Sequence, residues 1–206
     1  ARESGGKPFD PGWTCTPRSK PPHVILIHQE SVGPPMFFPQ INVDPIVPPM
    51  FNSFDGRLHK LNVETFGGAS WLTESGVLLG LSSRFFGTMK DFVQFFMAGR
   101  LKESLPQVMA KCGYRNVMYY PYTFGVFGNK AFFTSIGLSE VFDRDAQGLQ
   151  ENYARDRVYY GNMLKEIAAH TARSDKPLFV FLETMSAHWP YDVTFEPDVK
   201  VPDGDA

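Results

Sequence analysis

Short apolar runs alternate with longer amphipathic stretches along this chain, and the alternation predicts its elements. His23-Val24-Ile25-Leu26-Ile27-His28, Asn116-Val117-Met118-Tyr119-Tyr120 and Leu178-Phe179-Val180-Phe181-Leu182 are nearly unbroken apolar runs rich in β-branched and aromatic residues. That is the pattern of core strands, and the first reads as buried on both faces. Between them, Ser104 to Gly113 reads as a helix, with Pro106 in its first turn and Gly113 at its end. Arg155 to Arg173 is the clearest helix, its Tyr160, Met163, Leu164, Ile167, Ala168 and Thr171 spaced for one apolar face, and Lys176-Pro177 stops it. Lys130 to Ile136 reads as a short helix closed by Gly137, Val141-Phe142-Asp143 as a small strand, and Phe85 to Met97 as a short helix or packed loop. The strand–helix–strand rhythm predicts an α/β fold, a mainly parallel sheet sandwiched by helices.

The stretch from Thr65 to Gly80 departs from this regularity. Arg57 to Thr65 alternates as a strand would, and Gly67-Gly68 then turns the chain. Trp71, Leu72, Ser75, Leu78 and Leu79 follow at the spacing of a helix with one buried face. Ser70 stands at the start of that helix, where free N–H groups and the helix dipole favour an anion. It is either an N-cap or a nucleophile.

Composition narrows the classes. The 206 residues, 43% apolar and 20% charged, suit one globular domain with a sizeable core, and 19 phenylalanines supply large side chains for it. A net charge of -2 with no basic run argues against a nucleic-acid partner. No apolar stretch is long enough to span a bilayer. The chain opens at Ala1 without a methionine, which reads as an excised or processed piece. Residues 1–22, rich in Gly, Pro, Lys and Arg, read as a linker or lead-in, and 34–56 as a long proline-rich loop. Cys15 and Cys112 make no metal-ligand spacing and leave a disulfide open.

Parallel strands end on one edge of their sheet, and ligand sites of open α/β sheets lie there. Glu30 and His188 both follow core strands, Ser70 starts a helix, and Lys130 follows the segment leaving the second core strand. A carboxylate, a hydroxyl, an imidazole and a lysine thus gather from distant parts of the chain. A divalent cation on Glu30 would lower the pKa of the Ser70 hydroxyl, while His188 and Lys130 neutralise an anionic substrate. Taken singly each has a plainer account: Glu30 as the first exposed residue after a strand, His188 as a hydrogen-bonded core histidine, Lys130 as a solvated lysine.

Val24-Ile25-Leu26-Ile27-His28-Gln29-Glu30-Ser31, the Gly67 to Gly80 stretch and Ser186-Ala187-His188-Trp189-Pro190-Tyr191 together resemble the lipoteichoic acid synthase-like branch of the alkaline phosphatase and sulfatase superfamily. The resemblance implies that residues 23–206 are the N-terminal portion of a sulfatase-like catalytic domain. It implies a transferase that moves phosphoglycerol or phosphoethanolamine from a phospholipid head group to a glycan or lipid acceptor. Such enzymes are membrane-anchored, through segments not in this chain, and work on the extracytoplasmic, periplasmic side of the bacterial cytoplasmic membrane. Glu30 matches the ligand of a catalytic manganese or zinc, and Ser70, four residues before Glu74, matches the nucleophile that also binds the metal. Ser70 stands where a threonine is usual, with Thr73 as the alternative. His188 matches a substrate histidine, and Asn129 and Lys130 lie in the substrate-side loop, with Asn129 where relatives use an arginine.

The family's further metal ligands, an Asp-His pair, lie downstream of the His188 position, and this chain has no Asp-His dipeptide. Asp192, Asp198, Asp203 and Asp205 are poor substitutes in a proline-rich tail. Two other readings stand beside the transferase. A sulfatase or phosphatase-type hydrolase is one, although Ser70-Trp71-Leu72-Thr73 lacks the Pro-Ser-Arg that follows a sulfatase nucleophile. A truncated non-catalytic binding domain is the other.

Overall fold

The computed structural model describes residues 14–16, 20–40, 42, 48–63, 65, 68–124, 129–150 and 154–189. The lead-in up to residue 13, Gly67, Gly125, Gly128 and the acidic tail with Asp192, Asp198, Asp203 and Asp205 lie outside the described residues.

Among the described residues four parallel strands form one sheet: β1 (Val24–Gln29), β2 (Arg115–Tyr119), β3 (Glu140–Phe142) and β4 (Leu178–Thr184), in the order β1-β4-β2-β3. The α-helices among the described residues are α1 (Ser70–Leu79), α2 (Val93–Met97), α3 (Leu105–Lys111), α4 (Asn129–Ser135) and α5 (Asp156–Thr171). A 3₁₀ segment over Ser83–Phe92 precedes α2. All seven residues of β4 are buried, as a central strand between two covered faces requires.

Alternation along the strands divides the core. Phe179, Phe181 and Met118 point to one face, where they meet Leu78 of α1 and Phe132 and Phe133 of α4. Val117, Tyr119, Leu178, Val180 and Leu182 point to the other, covered by Tyr159 and Met163 of α5. Each fully buried Phe or Leu contributes about 2–3 kcal/mol.

Three sequence expectations are corrected. First, β1 is not buried on both faces: it is an edge strand whose burial alternates, with Ile25 and Ile27 41% and 42% exposed. The apolar run is continuous in sequence, but only Val24 and Leu26 meet the core, on the Phe179 and Phe181 side. Second, the described part of residues 57–65 forms no strand; 57–63 are exposed and coiled, so no sheet neighbour is there to satisfy their backbone. Third, of the expected α5 face Met163 is buried and Tyr160 and Ile167 pack against the core, but Leu164 (58% exposed), Ala168 and Thr171 face outward, and the buried stripe is completed by Tyr159 and His170. The stripe is turned toward His170 because that ring is tied down from two sides. Its Nε2 donates to the Lys176 carbonyl at 2.6 Å, leaving Nδ1 to accept from Arg115 at 3.2 Å.

The remaining elements follow their sequence signals closely. Ser104 caps α3, accepting from Gln107 N at 3.1 Å while its hydroxyl donates to the Ile136 carbonyl at 2.6 Å. Pro106 lies in the first turn. Gly137 ends α4 at φ 95°, and a Cβ there would stand 3.1 Å from the Gln107 backbone nitrogen, so glycine is needed for both conformation and space. Cys15 and Cys112 are joined by a disulfide that ties the chain before β1 to the end of α3.

Candidate active site

The C-terminal edge of the sheet carries an acidic floor. His28 on β1 faces Glu183 on β4 in register, and Glu30 lies two residues beyond His28, on the same side of the pleat. The pairing continues past β1, since Glu30 N donates to the Thr184 carbonyl at 3.4 Å. One ligand atom each of His28, Glu30 and Glu183 lies within 4.8 Å of the other two. His28 Nε2 is 3.8 Å from a Glu30 oxygen, and the other Glu30 oxygen accepts from Ser31 at 3.2 Å.

Glu74 of α1 joins them from the helix layer. It is buried, as are Glu30 and Glu183. Glu74 and Glu183 share a hydrogen bond, and Gln94 Nε2 donates to Glu74 at 3.4 Å. Burial pushes the Glu74 carboxyl up to about 7, aided by the charge on Glu30 and opposed by the hydrogen bonds from Glu183 and Gln94. Burial, and then the charges on Glu74 and Glu30, push Glu183 well above the usual carboxylate range. Burial lowers the His28 imidazole, with the Glu30 charge opposing. Two buried atoms here have no partner among the described residues: Glu183 Oε2 and His28 Nδ1. Buried like charges and orphaned ligand atoms are what a bound cation would relieve, so these residues fit a divalent metal.

Above the floor is a cavity of about 790 Å³. Its lining includes Glu30, Ser70, Glu74, Asn129, Glu183 and His188. Of the residues singled out from sequence, Glu30, Ser70, Asn129 and His188 therefore share one cavity. Lys130 and Thr73 are not in its wall. Lys130 is exposed on α4, and the Thr73 hydroxyl lies 3.4 Å from that of Thr65. Asn129 Nδ2 donates to the Tyr120 hydroxyl at 3.0 Å, and Tyr120 also lines the wall. Arg144, whose Nε donates to Asp145 at 3.0 Å, also lines this wall.

The local conformation at Ser70 separates its two sequence readings. Ser70 is the first residue of α1, and the N-cap is Ala69, with no side-chain cap. Ala69 has φ 61° and ψ 42°, a left-handed conformation that costs an L-residue roughly 1–2 kcal/mol. Ser70 is thus not the cap, and it lines the cavity at the start of a ten-residue helix.

Sequence reasoning passed over His28, Glu183 and Arg144, and used Glu74 only as a spacing mark. Glu183 carries the same signal that singled out Glu30, a carboxylate at the end of an apolar strand. Arg144 has no such signal, because only the packing of the segment after β3 brings it to the cavity.

The sulfatase family model matches residues 22–205. An uncharacterized protein of Haemophilus influenzae is 27% identical over 191 residues, which cover 86% of this chain and 34% of that protein. The lipoteichoic acid synthase LtaP from Listeria monocytogenes superposes with a TM-score of 0.58 at 14% identity, covering 84% of this chain and 43% of LtaP. An alkaline phosphatase superfamily protein from Vibrio parahaemolyticus superposes with a TM-score of 0.54 at 16% identity, covering 96% of this chain and 50% of that one. The chain spans about a third of the curated relative's length and at most half of these solved chains.

Proposed function

The chain belongs to the sulfatase family, and from that membership and the cavity we propose a metal-dependent transferase that moves phosphoglycerol or phosphoethanolamine from a phospholipid to an acceptor hydroxyl. The observation that carries this reading is the shared cavity: Ser70, uncapped at a helix start, and Glu30, on the acidic floor, line the same space. A fold shared with a protein named lipoteichoic acid synthase adds support. Ser70 followed by Trp71 rather than Pro-Ser-Arg favours phosphoryl transfer over a sulfatase reaction.

In this reading the Ser70 oxygen attacks phosphorus. The new Ser70 O–P bond forms as the bond from phosphorus to the diacylglycerol oxygen breaks, and the serine proton leaves on that alcohol. An acceptor hydroxyl then attacks phosphorus, and Ser70 recovers a proton as the second O–P bond breaks. The first-turn N–H groups of α1 stabilise the negative oxygens. Asn129 and His188 orient the head group. Manganese or zinc, held by Glu30 with Ser70, supplies Lewis-acid stabilisation of the phosphoryl oxygens when bound. The disulfide fits an oxidising compartment, in line with work on the extracytoplasmic face of the bacterial membrane. Among the described residues no helix is long and apolar enough to cross a membrane; attachment through other segments belongs to this proposal.

The test is to incubate the protein with Mn²⁺ and vesicles of phosphatidylglycerol or phosphatidylethanolamine, then map the adduct by mass spectrometry. A phosphoglycerol or phosphoethanolamine adduct on Ser70 is expected, and the donor that yields it identifies the head group. Full turnover by Ser70→Ala would end the reading.

A further inference from the structure

We propose that Glu183 and His28 are cation ligands alongside Glu30, so that the described part of this chain carries a three-ligand divalent metal site of its own. The inference rests on the metal-dependent reading above and goes beyond it, since that reading takes only Glu30 and Ser70 from this chain.

Three independent observations carry it. The first is geometric. Parallel pairing sets His28 and Glu183 side by side on one face of the sheet, with Glu30 next along the same face. Their ligand atoms lie within 4.8 Å of one another. Tetrahedral ligands at ordinary metal distances stand roughly 3.4 Å apart, so the three side chains need to draw together only by on the order of 1 Å. The second is the orphaned atom. Glu183 is 2% exposed, lines the cavity, and its Oε2 has no partner among the described residues. A carboxylate oxygen removed from water without a donor is destabilising by about 1–3 kcal/mol or more, and a cation supplies what is missing. The third is chemical. Two carboxylates and one imidazole form a mixed oxygen–nitrogen set suited to zinc or manganese, whereas calcium and magnesium prefer oxygen alone. The His28 ring is half-buried, and its Nδ1 likewise has no partner.

Glu74 completes the arrangement from the other side. It touches Glu183 rather than the His28–Glu30 edge, so it acts as a positioning residue that orients the Glu183 carboxylate.

The experiment titrates Mn²⁺ alone into the full chain after chelator treatment, reading free Mn²⁺ by electron paramagnetic resonance and melting temperature in parallel. Wild type should bind one Mn²⁺ and melt higher with it. Glu183→Gln and His28→Gln should each weaken Mn²⁺ binding about 10- to 100-fold. Glu183→Gln should also melt close to wild type without metal, because the amide keeps the shape of the side chain and an acceptor oxygen, and yet lose the Mn²⁺-induced rise. A merely structural role would lower the metal-free melting temperature instead. If Glu30→Gln abolishes binding while Glu183→Gln and His28→Gln bind as wild type does, the inference fails and the transferase reading stands. If Glu183→Gln does not fold, unchanged binding by His28→Gln overturns the three-ligand site and weakened binding supports it. Wild type that binds no Mn²⁺ overturns this site, and with it the metal in the proposed mechanism.

Discussion

His28 and Glu183, 155 positions apart in sequence, are direct register partners on adjacent parallel strands. Because parallel neighbours place their side chains on the same face, the imidazole and the carboxylate both turn toward the helix layer that delivers Glu74 and Ser70. The candidate centre is thus a product of strand register rather than of any local motif. A one-residue slip between β1 and β4 would turn His28 and Glu30 to the opposite face.

Ser70→Ala should abolish the phosphorylated intermediate and lower transfer by at least about 10³-fold, with circular dichroism and melting temperature unchanged because Ser70 is not the cap. Thr73→Ala should retain transfer, since Thr73 lies outside the cavity wall. Loss of the adduct in Thr73→Ala with its retention in Ser70→Ala would reassign the nucleophile.

Asn129→Ala should raise KM for the phospholipid about tenfold with a smaller effect on kcat, as loss of a neutral hydrogen bond to a substrate does. Lys130→Ala should leave both within about twofold, because Lys130 is exposed and outside the wall. Steady-state kinetics on both variants checks this pair.

The backbone before Ser70 makes a stability prediction of its own. Ala69→Gly should leave the melting temperature unchanged or raise it, by up to about 1 kcal/mol of stability, since glycine adopts φ 61° without strain. Ala69→Val should lower stability by about 2 kcal/mol, because a β-branched residue resists the left-handed region more strongly. Urea melts distinguish the two, and a stabilising valine would contradict the assigned backbone.

An ion-pair network gives the pH dependence. Arg115 donates through Nε to Glu140 at 2.7 Å and through NH1 to Glu166 at 2.7 Å. The hydrogen bond from Arg115 holds the Glu140 carboxyl below its usual 4.5. A depressed carboxylate contributes stability above its unfolded pKa, and that contribution is lost as pH falls through the lower folded value. Stability should therefore decline below about pH 4.5 more steeply in wild type than in Glu140→Gln. At pH 7 the substitution should cost no more than about 1 kcal/mol, because Glu140 is partly exposed and screened. Urea midpoints measured from pH 3 to pH 7 test the sign.

Replacing Cys15 and Cys112 together by serine should lower stability by up to about 5 kcal/mol, the loop-closure contribution for a cross-link of this span; the bridged residues are 97 apart. Dithiothreitol should lower the wild-type melting temperature and leave the double variant unchanged.

Much of this molecule was determined by local sequence. The β4 run, the capped and glycine-closed α3, and the alternation of strands and helices specified a parallel α/β sheet because burial and backbone hydrogen bonding act over a few neighbouring residues. Glu30 was legible for the same reason, as a carboxylate at a strand end. Tertiary structure alone decided the rest. It made β1 an edge strand, leaving Ile25 and Ile27 exposed although their sequence matches a central strand. It turned α5 so that His170 is buried and Leu164 exposed, because Arg115 and Lys176 hold the ring. It left Lys130 outside the cavity and brought Glu183, His28 and Arg144 to it or to its floor. Register and helix rotation depend on contacts between residues far apart in the chain, and no local pattern encodes which of several apolar or charged side chains those contacts select.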